Sequence, residues 1–259
     1  MVIQAEQILA LMALYILPFA RLSGFLMTIS VIGSRNISAK FRMLLALSIT
    51  FLVVPVIPES PPIMLFSVQS FLLVIEQTLI GIALGFVSRL MLETFVIGAQ
   101  VIAMQSGLGF ASLVDPANGN SVPALGQFFL MMTTLMFLSV DGHLVMTRLV
   151  VESFTSFPIG SSYSIIEMFM QLIEWSKWIF AAALIMAIVS IASLLIVNIA
   201  FGVMTRAAPQ INVFAVGFPL TMVAGLILIW LTLVYFIPHF EAQMSRASNL
   251  ICEMVQLKC

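Results

Sequence analysis

A long stretch without helix-breaking residues is the feature of this chain that most restricts its fold. Residues 164–205 contain no proline and a single glycine, Gly202. As one helix, this stretch would be about 63 Å long, roughly twice the thickness of the hydrocarbon core of a bilayer. Residues 65–104 also contain no proline, and as one helix they too would be much longer than a bilayer is thick. Because lipid covers only part of such a helix, we expect other protein to cover the rest of its apolar surface.

Composition indicates that this is a membrane protein. The 259-residue chain is 62% hydrophobic and 8% charged, whereas a soluble domain carries roughly 25% charged residues. The apolar runs show no alternation of polar and apolar residues of the kind that a membrane β-barrel requires. The sequence therefore predicts an all-α, polytopic membrane protein with about six apolar helical segments. The clearest runs are residues 44–57, 71–87, 127–140, 179–201 and 213–237.

Charge, cysteine content and motifs argue against several kinds of site. The net charge of -1 does not favour binding to nucleic acid. The N-terminus lacks the basic start and the cleavage site of a signal peptide, so we expect it to remain as a first helix. Cys252 and Cys259 have no partners at metal spacing, so neither a structural disulfide nor a zinc site is expected. No motif of a hydrolytic, nucleotide-binding or redox enzyme occurs, so we expect no catalytic activity and no cofactor.

The distribution of basic residues predicts an orientation in the membrane. The loop at residues 33–42 contains Arg35, Lys40 and Arg42 and no acidic residue. By the positive-inside rule this loop lies in the cytoplasm, and the N-terminus faces outward. When the membrane crossings are counted onward from this loop, the turn that contains Arg206 also lies on the cytoplasmic side.

Charged residues inside the apolar segments are candidates for polar contacts. A charge at the centre of a bilayer costs about 2.5–3.5 kcal/mol, so such residues face protein or water. Glu76 is either a proton or ion site or, as we favour, a structural partner for a basic or amide group on a neighbouring helix. Arg89 and Glu93 are four residues apart, so they can neutralise each other on one helix face. Glu174 and Lys177 can do the same.

A stretch rich in glycine and proline interrupts the apolar sequence at residues 105–123. It has too many helix breakers for a span and too many apolar residues for an ordinary solvated loop. Irregular backbone survives at membrane depth only where protein or a water-filled cavity surrounds it. We therefore expect a re-entrant or lumen-lining element; an external connecting loop is the alternative. The residues assigned to this element are Gly107, Gly109, Phe110, Leu113, Val114, Asp115, Pro116, Asn118 and Gly119.

A second motif, RAAPQINVFAVGFP, follows the longest apolar stretch. It combines a basic residue, two amide side chains and several helix breakers, which is more than a plain helical hairpin needs. It indicates an interaction or gating loop at a membrane face, over residues 206–218. The residues assigned to it are Arg206, Pro209, Gln210, Asn212, Phe214, Gly217 and Pro219.

These two motifs, QSGLGFASLVDPANG and RAAPQINVFAVGFPL, occur in order with DGHL and ESFTSFPIG between them. On these four motifs the chain resembles, over essentially its whole length, the FliR/SctT family of type III secretion export-gate proteins, and within it the flagellar branch. The resemblance implies an inner-membrane subunit of the flagellar basal body. One copy of this chain would assemble with FliP and FliQ, and FlhB would dock outside the assembly. The cargo would be unfolded flagellar proteins.

The resemblance also implies a fold of two fused parts. Residues 1–162 would be a FliP-like helical part that includes the loop at residues 105–123. Residues 163–259 would be a FliQ-like helical hairpin. Neighbouring subunits, rather than lipid, would then cover the overlong helices.

The resemblance implies roles for both motifs. Residues 107–119 would be a plug that seals the export channel when it is closed. Phe110, Leu113 and Val114 would be its apolar stoppers, and Asp115 and Pro116 would fix its turn. An apolar constriction of this kind excludes water and ions. The turn at residues 206–218 would lie at the cytoplasmic entrance, in contact with FlhB.

Other functions stay open. A secondary transporter would use residues 105–123 as a broken helix at its substrate site, with Glu76 or Asp141 coupling protons. Residues 164–205, however, lack the matching break expected of repeated halves. Asp141 and His143 would also suit a proton relay, although a structural histidine is the simpler interpretation. A passive scaffold would tolerate changes to the plug without leakage, and an injectisome gate would do the same work with other cargo.

Overall fold

The structure is a computed structural model of the chain, and it describes residues 5–34, 36–58, 67–110, 112–114, 121–160, 165–207, 213–257 and 259. These residues are helical apart from turns, one turn of 3-10 helix at Leu108–Phe110 and a two-stranded ribbon. The all-α class is therefore confirmed. The helices are α1 (Ala5–Thr28), α2 (Ala39–Val53), α3 (Val68–Ser106), α4 (Ala124–Ser139), α5 (Gly142–Ser156), α6 (Ile165–Ala207), α7 (Val213–Leu233) and α8 (Phe236–Met254), and the strands are β1 (Ser112–Val114) and β2 (Ser121–Pro123).

Three of the described helices are long and apolar enough to cross a membrane, namely α3, α6 and residues 216–233 of α7. Helices α4 and α5 together form a fourth candidate, bent by 63° between them. This confirms a polytopic helical membrane protein. The described part has eight helices where about six apolar segments were predicted. The bend before α5 divides one segment, and the turn at residues 234–235 divides the last into α7 and α8.

The two overlong stretches are each a single helix. Helix α6 runs for 43 residues and α3 for 39, so α6 is about 64 Å long. The absence of proline in both stretches predicted this correctly, and α6 in addition contains a single glycine, Gly202. Over the 18 most apolar consecutive residues of each helix, the buried share is 44% in α3, 33% in α6 and 17% in α7. Most of the surface of α6 and α7 is therefore open to lipid or to other chains.

The chain divides into two compact units that are each discontinuous in sequence. The first unit comprises Met1–Leu90, Phe137–Trp175 and Ser245–Cys259. The second comprises Met91–Met136 and Ser176–Met244. These units do not follow a boundary at residues 162–163, so the FliP-like and FliQ-like parts stay a prediction.

In the first unit, α1 packs closely against the first half of α3. A Cβ atom on Gly81 of α3 would overlap the backbone carbonyl of Arg21 in α1, so only glycine permits this approach of the two backbones. Thr28 Oγ1 donates a hydrogen bond to the carbonyl of Ile82 at 3.1 Å. Side chains of α1 form the core on this side, together with Ile29 directly after the helix, and the buried ones in α1 include Leu17, Leu22, Phe25 and Leu26.

In the second unit, an aromatic cluster joins α3, α4 and α8. The ring of Phe95 lies 5.3 Å from that of Phe236 and 5.9 Å from that of Phe240, between centroids. Phe129 of α4 lies 5.9 Å from Phe236, and His239 meets Phe95 edge-on at 5.5 Å. Tilted and edge-on pairs of this kind are the favoured arrangements of aromatic rings. The cluster forms the aromatic part of the core of this unit.

The C-terminal tail corrects one prediction from the sequence. Cys252 and Cys259 form a disulfide bond, although no structural disulfide was expected. After α8, Leu257 donates its N–H to the carbonyl of Cys252 at 2.8 Å, and Gln256 adopts a positive φ of 55°. This turn folds the tail back and brings the two thiols together. Sequence spacing alone did not reveal the turn, which is why the prediction was wrong.

Candidate functional site

The predicted plug loop starts where α3 ends, at Gly107. This residue has a φ of 77°, a left-handed conformation that glycine adopts easily and that commonly ends helices. The 3-10 turn follows, and then β1 and β2 pair as antiparallel strands, with Leu113 opposite Val122. Strand β2 leads directly into α4, where Gly126 lies against Gln100 of α3. The loop is therefore a hairpin that leaves α3 and returns into α4, which packs beside α3.

The structure describes some of the predicted plug residues and not others. Gly107 and Gly109 are half-buried. The backbone of Phe110 lies in the 3-10 turn, and the backbones of Leu113 and Val114 lie in β1. Asp115, Pro116, Asn118 and Gly119 lie outside the described residues. The roles assigned to all these residues stay predictions.

The predicted entrance turn is partly helical. Arg206 is exposed in the last turn of α6, where a positive charge is favourable at the C-terminal end of a helix. Helix α7 already begins at Val213, so Phe214 and Gly217 lie in its first turns and Pro219 lies inside it. Gly217 is buried and Pro219 is exposed. Pro209, Gln210 and Asn212 lie outside the described residues.

The two motifs meet at the end of α3. The ring of Phe218 lies against Gly107, such that a Cβ atom on Gly107 would be 2.9 Å from Cε2 of that ring. One residue earlier, Ser106 packs so closely on Gly225 of α7 that a Cβ atom there would overlap the Cβ of Ser106. The base of the predicted plug therefore sits on α7. Sequence reasoning singled out both motifs, but nothing in either one indicated that they touch.

A buried arginine is the polar centre that sequence reasoning missed. Arg21 of α1 is completely buried, and its Nε donates to Oε1 of Gln77 in α3 at 2.7 Å. Its Nη1 donates to the carbonyl and to Oγ of Ser153 at 3.1 and 3.0 Å. Its Nη2 donates to the carbonyl of Phe157 at 3.1 Å, and the guanidinium lies 4.3 Å from the ring centre of Phe154. Arg21 thus joins α1, α3 and the end of α5. The only possible sequence signal was a lone arginine in an apolar first segment.

The other charged residues singled out in the apolar segments are less buried than Arg21. Glu76 is half-buried and acts electrostatically on Arg21, so a basic group on a neighbouring helix lies near it. Arg89 is exposed and Glu93 is half-buried on α3.

The predicted pairing of acids and bases along one helix is seen elsewhere. Among the described residues, the ion pair that forms joins Arg148 and Glu152 of α5, at 2.6 Å. No ion pair joins Arg89 to Glu93, or Glu174 to Lys177, in that part of the chain. Self-neutralisation of these charges is therefore not observed, and the roles of Glu76, Arg89 and Glu93 stay predictions.

Asp141 lies directly before α5, and His143 lies in the first turn of that helix. Asp141 has a positive φ of 55°, and its side chain makes no capping hydrogen bond within the described part of the chain. Its backbone carbonyl accepts from the N–H of Leu144 at 2.8 Å. Nδ1 of His143 is buried and has no hydrogen-bond partner among the described atoms. The described contacts therefore do not link Asp141 to His143 in a relay.

Comparison with known proteins extends over almost the whole chain. The sequence profile of the bacterial export proteins, family 1, matches residues 12–247, which include both motifs. The flagellar biosynthetic protein FliR of Escherichia coli (strain K12) is 32% identical over 253 residues, covering 98% of this chain and 97% of that protein. FliR of Pectobacterium carotovorum subsp. carotovorum is 34% identical over 239 residues, covering 92% and 91%. FliR of Bacillus subtilis (strain 168) is 31% identical over 227 residues, covering 86% and 87%. This chain therefore belongs to the bacterial export proteins, family 1, the family of FliR.

Proposed function

We propose that this chain is a core subunit of the flagellar type III protein export gate. In this role it helps to form and seal the channel through which unfolded flagellar proteins cross the inner membrane, within the flagellar basal body. The observation that carries the proposal is the similarity to flagellar biosynthetic proteins along nearly the whole chain. The candidate membrane-spanning helices support a location in the membrane.

The hairpin between α3 and α4 is the proposed plug. A channel wide enough for an unfolded polypeptide leaks ions unless an apolar constriction excludes water when it is closed. Leu113 and Val114 lie in a strand that is paired with β2. This pairing satisfies part of the backbone hydrogen bonding that irregular chain at membrane depth otherwise lacks. The geometry thus supports a compact element rather than a solvated loop.

The open faces of α6 and α7 are the proposed contacts with FliP and FliQ. Because α6 is far longer than a bilayer is thick, lipid cannot cover all of its exposed apolar side chains. Copies of FliP and FliQ would cover the remainder, with one copy of this chain in each assembly. FlhB would dock at the entrance turn of residues 206–218. The subunit would gate secretion without chemistry of its own, and a partner ATPase and the proton motive force would supply the energy.

Native mass spectrometry tests the assembly. The tagged chain is co-expressed with FliP and FliQ and purified in mild detergent. We expect a defined hetero-oligomer that contains one copy of this chain. Recovery as a monomer or homodimer only, with both partners present in the same detergent, would contradict the proposal and favour a transporter with its substrate site at residues 105–123.

Replacement of residues 107–119 by a Gly–Ser linker of equal length tests the plug. We expect the assembled complex to conduct ions several-fold better than the parent in a planar bilayer, because the linker has no apolar side chains to exclude water. The linker keeps the connection from α3 to α4, so assembly is checked on the same sample. Unchanged conductance in an intact assembly would contradict a plug and favour a passive scaffold.

Alanine substitutions in the entrance turn test its contact with FlhB. We expect Asn212→Ala and Phe214→Ala each to reduce export of flagellar proteins and the yield of a cross-link to FlhB, while the assembly stays intact. Arg206→Gln serves as a charge control in the same turn. If assembly itself is lost, the turn has a structural role instead.

A further inference from the structure

We propose that Phe218 of α7 is a positioning residue for the plug, through which the entrance turn controls the plug. This inference rests on the proposed function of the hairpin as a plug. Its structural basis is the contact between two motifs that are far apart in sequence, at Gly107 and Phe218.

The contact depends on the particular residue on each side. Gly107 has a positive φ of 77°, which is unfavourable for residues that carry a Cβ atom. A Cβ atom there would also lie 2.9 and 3.4 Å from two carbons of the Phe218 ring. The ring therefore occupies the space that the missing side chain leaves. Any movement of Phe218 removes or shifts the support under the first residue of the loop.

Proline divides α7 directly after Phe218. Pro219 lies inside the helix, and because it has no N–H, it cannot donate the backbone hydrogen bond that normally ties a residue to the preceding turn. Residues 213–218 are therefore held less firmly to the rest of α7 than an ordinary helical turn is. In the sequence, these residues follow the predicted entrance motif that begins at Arg206.

A second contact holds the other side of the proline. Gly225 lies about two helical turns beyond Phe218 and packs directly on Ser106. Ser106 is buried, and its Oγ donates to the carbonyls of Ile102 and Ala103 at 2.9 and 3.1 Å. The end of α3 is thus anchored by Gly225 and supported by Phe218. A partner that shifts residues 213–218 moves the support and leaves the anchor in place.

Substitution of Phe218 in the assembled complex tests this coupling. Two properties are measured: ion conductance in a planar bilayer, and the rate at which a membrane-impermeant maleimide labels a cysteine placed at Ser112 in β1. Cys252 and Cys259 are replaced by serine in every sample, so that the label reports only the introduced cysteine. The conservative variant is Phe218→Tyr. The matched control is Phe41→Ala on α2, where the side chain is 54% exposed.

We expect Phe218→Ala to raise both conductance and labelling several-fold, while Phe218→Tyr and Phe41→Ala remain at the parent values. In the double variant Gly107→Ala with Phe218→Ala, we expect an increase smaller than the product of the two single effects. Once the ring is absent, the added methyl group at residue 107 displaces nothing, and only the strain of the positive φ remains. Multiplied effects in the double variant would show independent roles and overturn the inference.

The Gly–Ser replacement of residues 107–119 distinguishes a failure of the positioning role of Phe218 from a failure of the proposed plug. If that replacement leaks and Phe218→Ala does not, the positioning role is wrong and the plug stands. If the replacement does not leak, the plug is wrong and this inference falls with it. Should Phe218→Ala fail to assemble, Phe218→Leu is measured in its place, and parent conductance in that variant overturns the inference. Loss of assembly in both variants also overturns it, because Phe218 would then serve assembly.

Discussion

The two compact units differ in the contacts of one large buried residue in each, Arg21 in the first unit and Phe95 in the second. Arg21 makes four hydrogen bonds that reach from α1 to α3 and to the end of α5. Phe95 packs against the aromatic rings of Phe236 and Phe240. In the same unit, Gly225 packs closely on Ser106. Among the described contacts, the hydrogen bonds of Arg21 link helices of the first unit, and aromatic packing links helices of the second.

The difference matters because of the membrane. In lipid, apolar side chains gain little by contacting one another instead of acyl chains, so polar bonds and close backbone approach decide how helices associate. The first unit has both, in Arg21 and Gly81. The second unit contains most of α6 and all of α7, whose exposed apolar faces remain available for lipid or partners. We therefore expect the stability of the second unit to depend more on assembly with partners than that of the first.

The substitution Arg21→Met should destabilise the first unit and cause the largest predicted loss in the free energy of unfolding. Methionine keeps much of the apolar volume but donates no hydrogen bond to Gln77, Ser153 or Phe157. Each buried acceptor that loses its donor costs about 1–3 kcal/mol, so we expect a loss of about 3 kcal/mol or more in the free energy of unfolding. Titration of the purified chain with a denaturing detergent measures it.

Arg148→Met is the matched control for that prediction. Arg148 is exposed and, among the residues that the structure describes, pairs with Glu152 on its own helix; surface pairs of this kind contribute little to stability. We expect the midpoint of unfolding to stay where it is in the parent. Equal losses in the two variants would show that Arg21 does not hold the first unit together.

Two glycine-to-alanine substitutions sharpen the comparison at a smaller scale. At Gly81 the added methyl group would overlap the backbone of Arg21, so we expect Gly81→Ala to lower the free energy of unfolding by about 1–3 kcal/mol. At Gly202 in α6, no described atom lies within 4 Å of the added group. Gly202→Ala should therefore raise helix stability, by up to about 1 kcal/mol. Thermal unfolding in detergent measures both, and destabilisation by Gly202→Ala would mean that its face is already occupied.

A bulky substitution on α6 should have the smallest effect on the isolated chain. Ile196 is 68% exposed, so Ile196→Trp should change the free energy of unfolding by no more than about 0.5 kcal/mol. If a neighbouring subunit covers this position, the larger side chain does not fit a close-packed interface. We then expect the yield of hetero-oligomer in native mass spectrometry to fall, with Ile196→Leu as the conservative control. Full assembly of Ile196→Trp would show that lipid covers Ile196.

The parts that could be predicted from the sequence are those that depend on local residues. The unbroken α6 and α3 follow from the lack of proline in both stretches. The break after α3 follows from the glycines and prolines around Gly107. Local signals placed the start of the last long helix too far along the chain, because residues 213–218 are helical although Pro219 follows them. They also failed at Cys252 and Cys259, whose pairing depends on the turn after α8.

The sequence by itself determined that this chain is a helical membrane protein, how long its longest helices are and where they are interrupted. Apolar length and the positions of helix breakers are sufficient for that, because backbone groups in lipid must be paired within the helix. The tertiary structure alone decided that Arg21 meets Gln77 and Ser153, which are 56 and 132 residues away, and that Gly107 meets Phe218. The physical reason is that apolar helix faces are nearly equivalent in lipid, so the partners are chosen by hydrogen-bond geometry and by the fit of backbone against side chain.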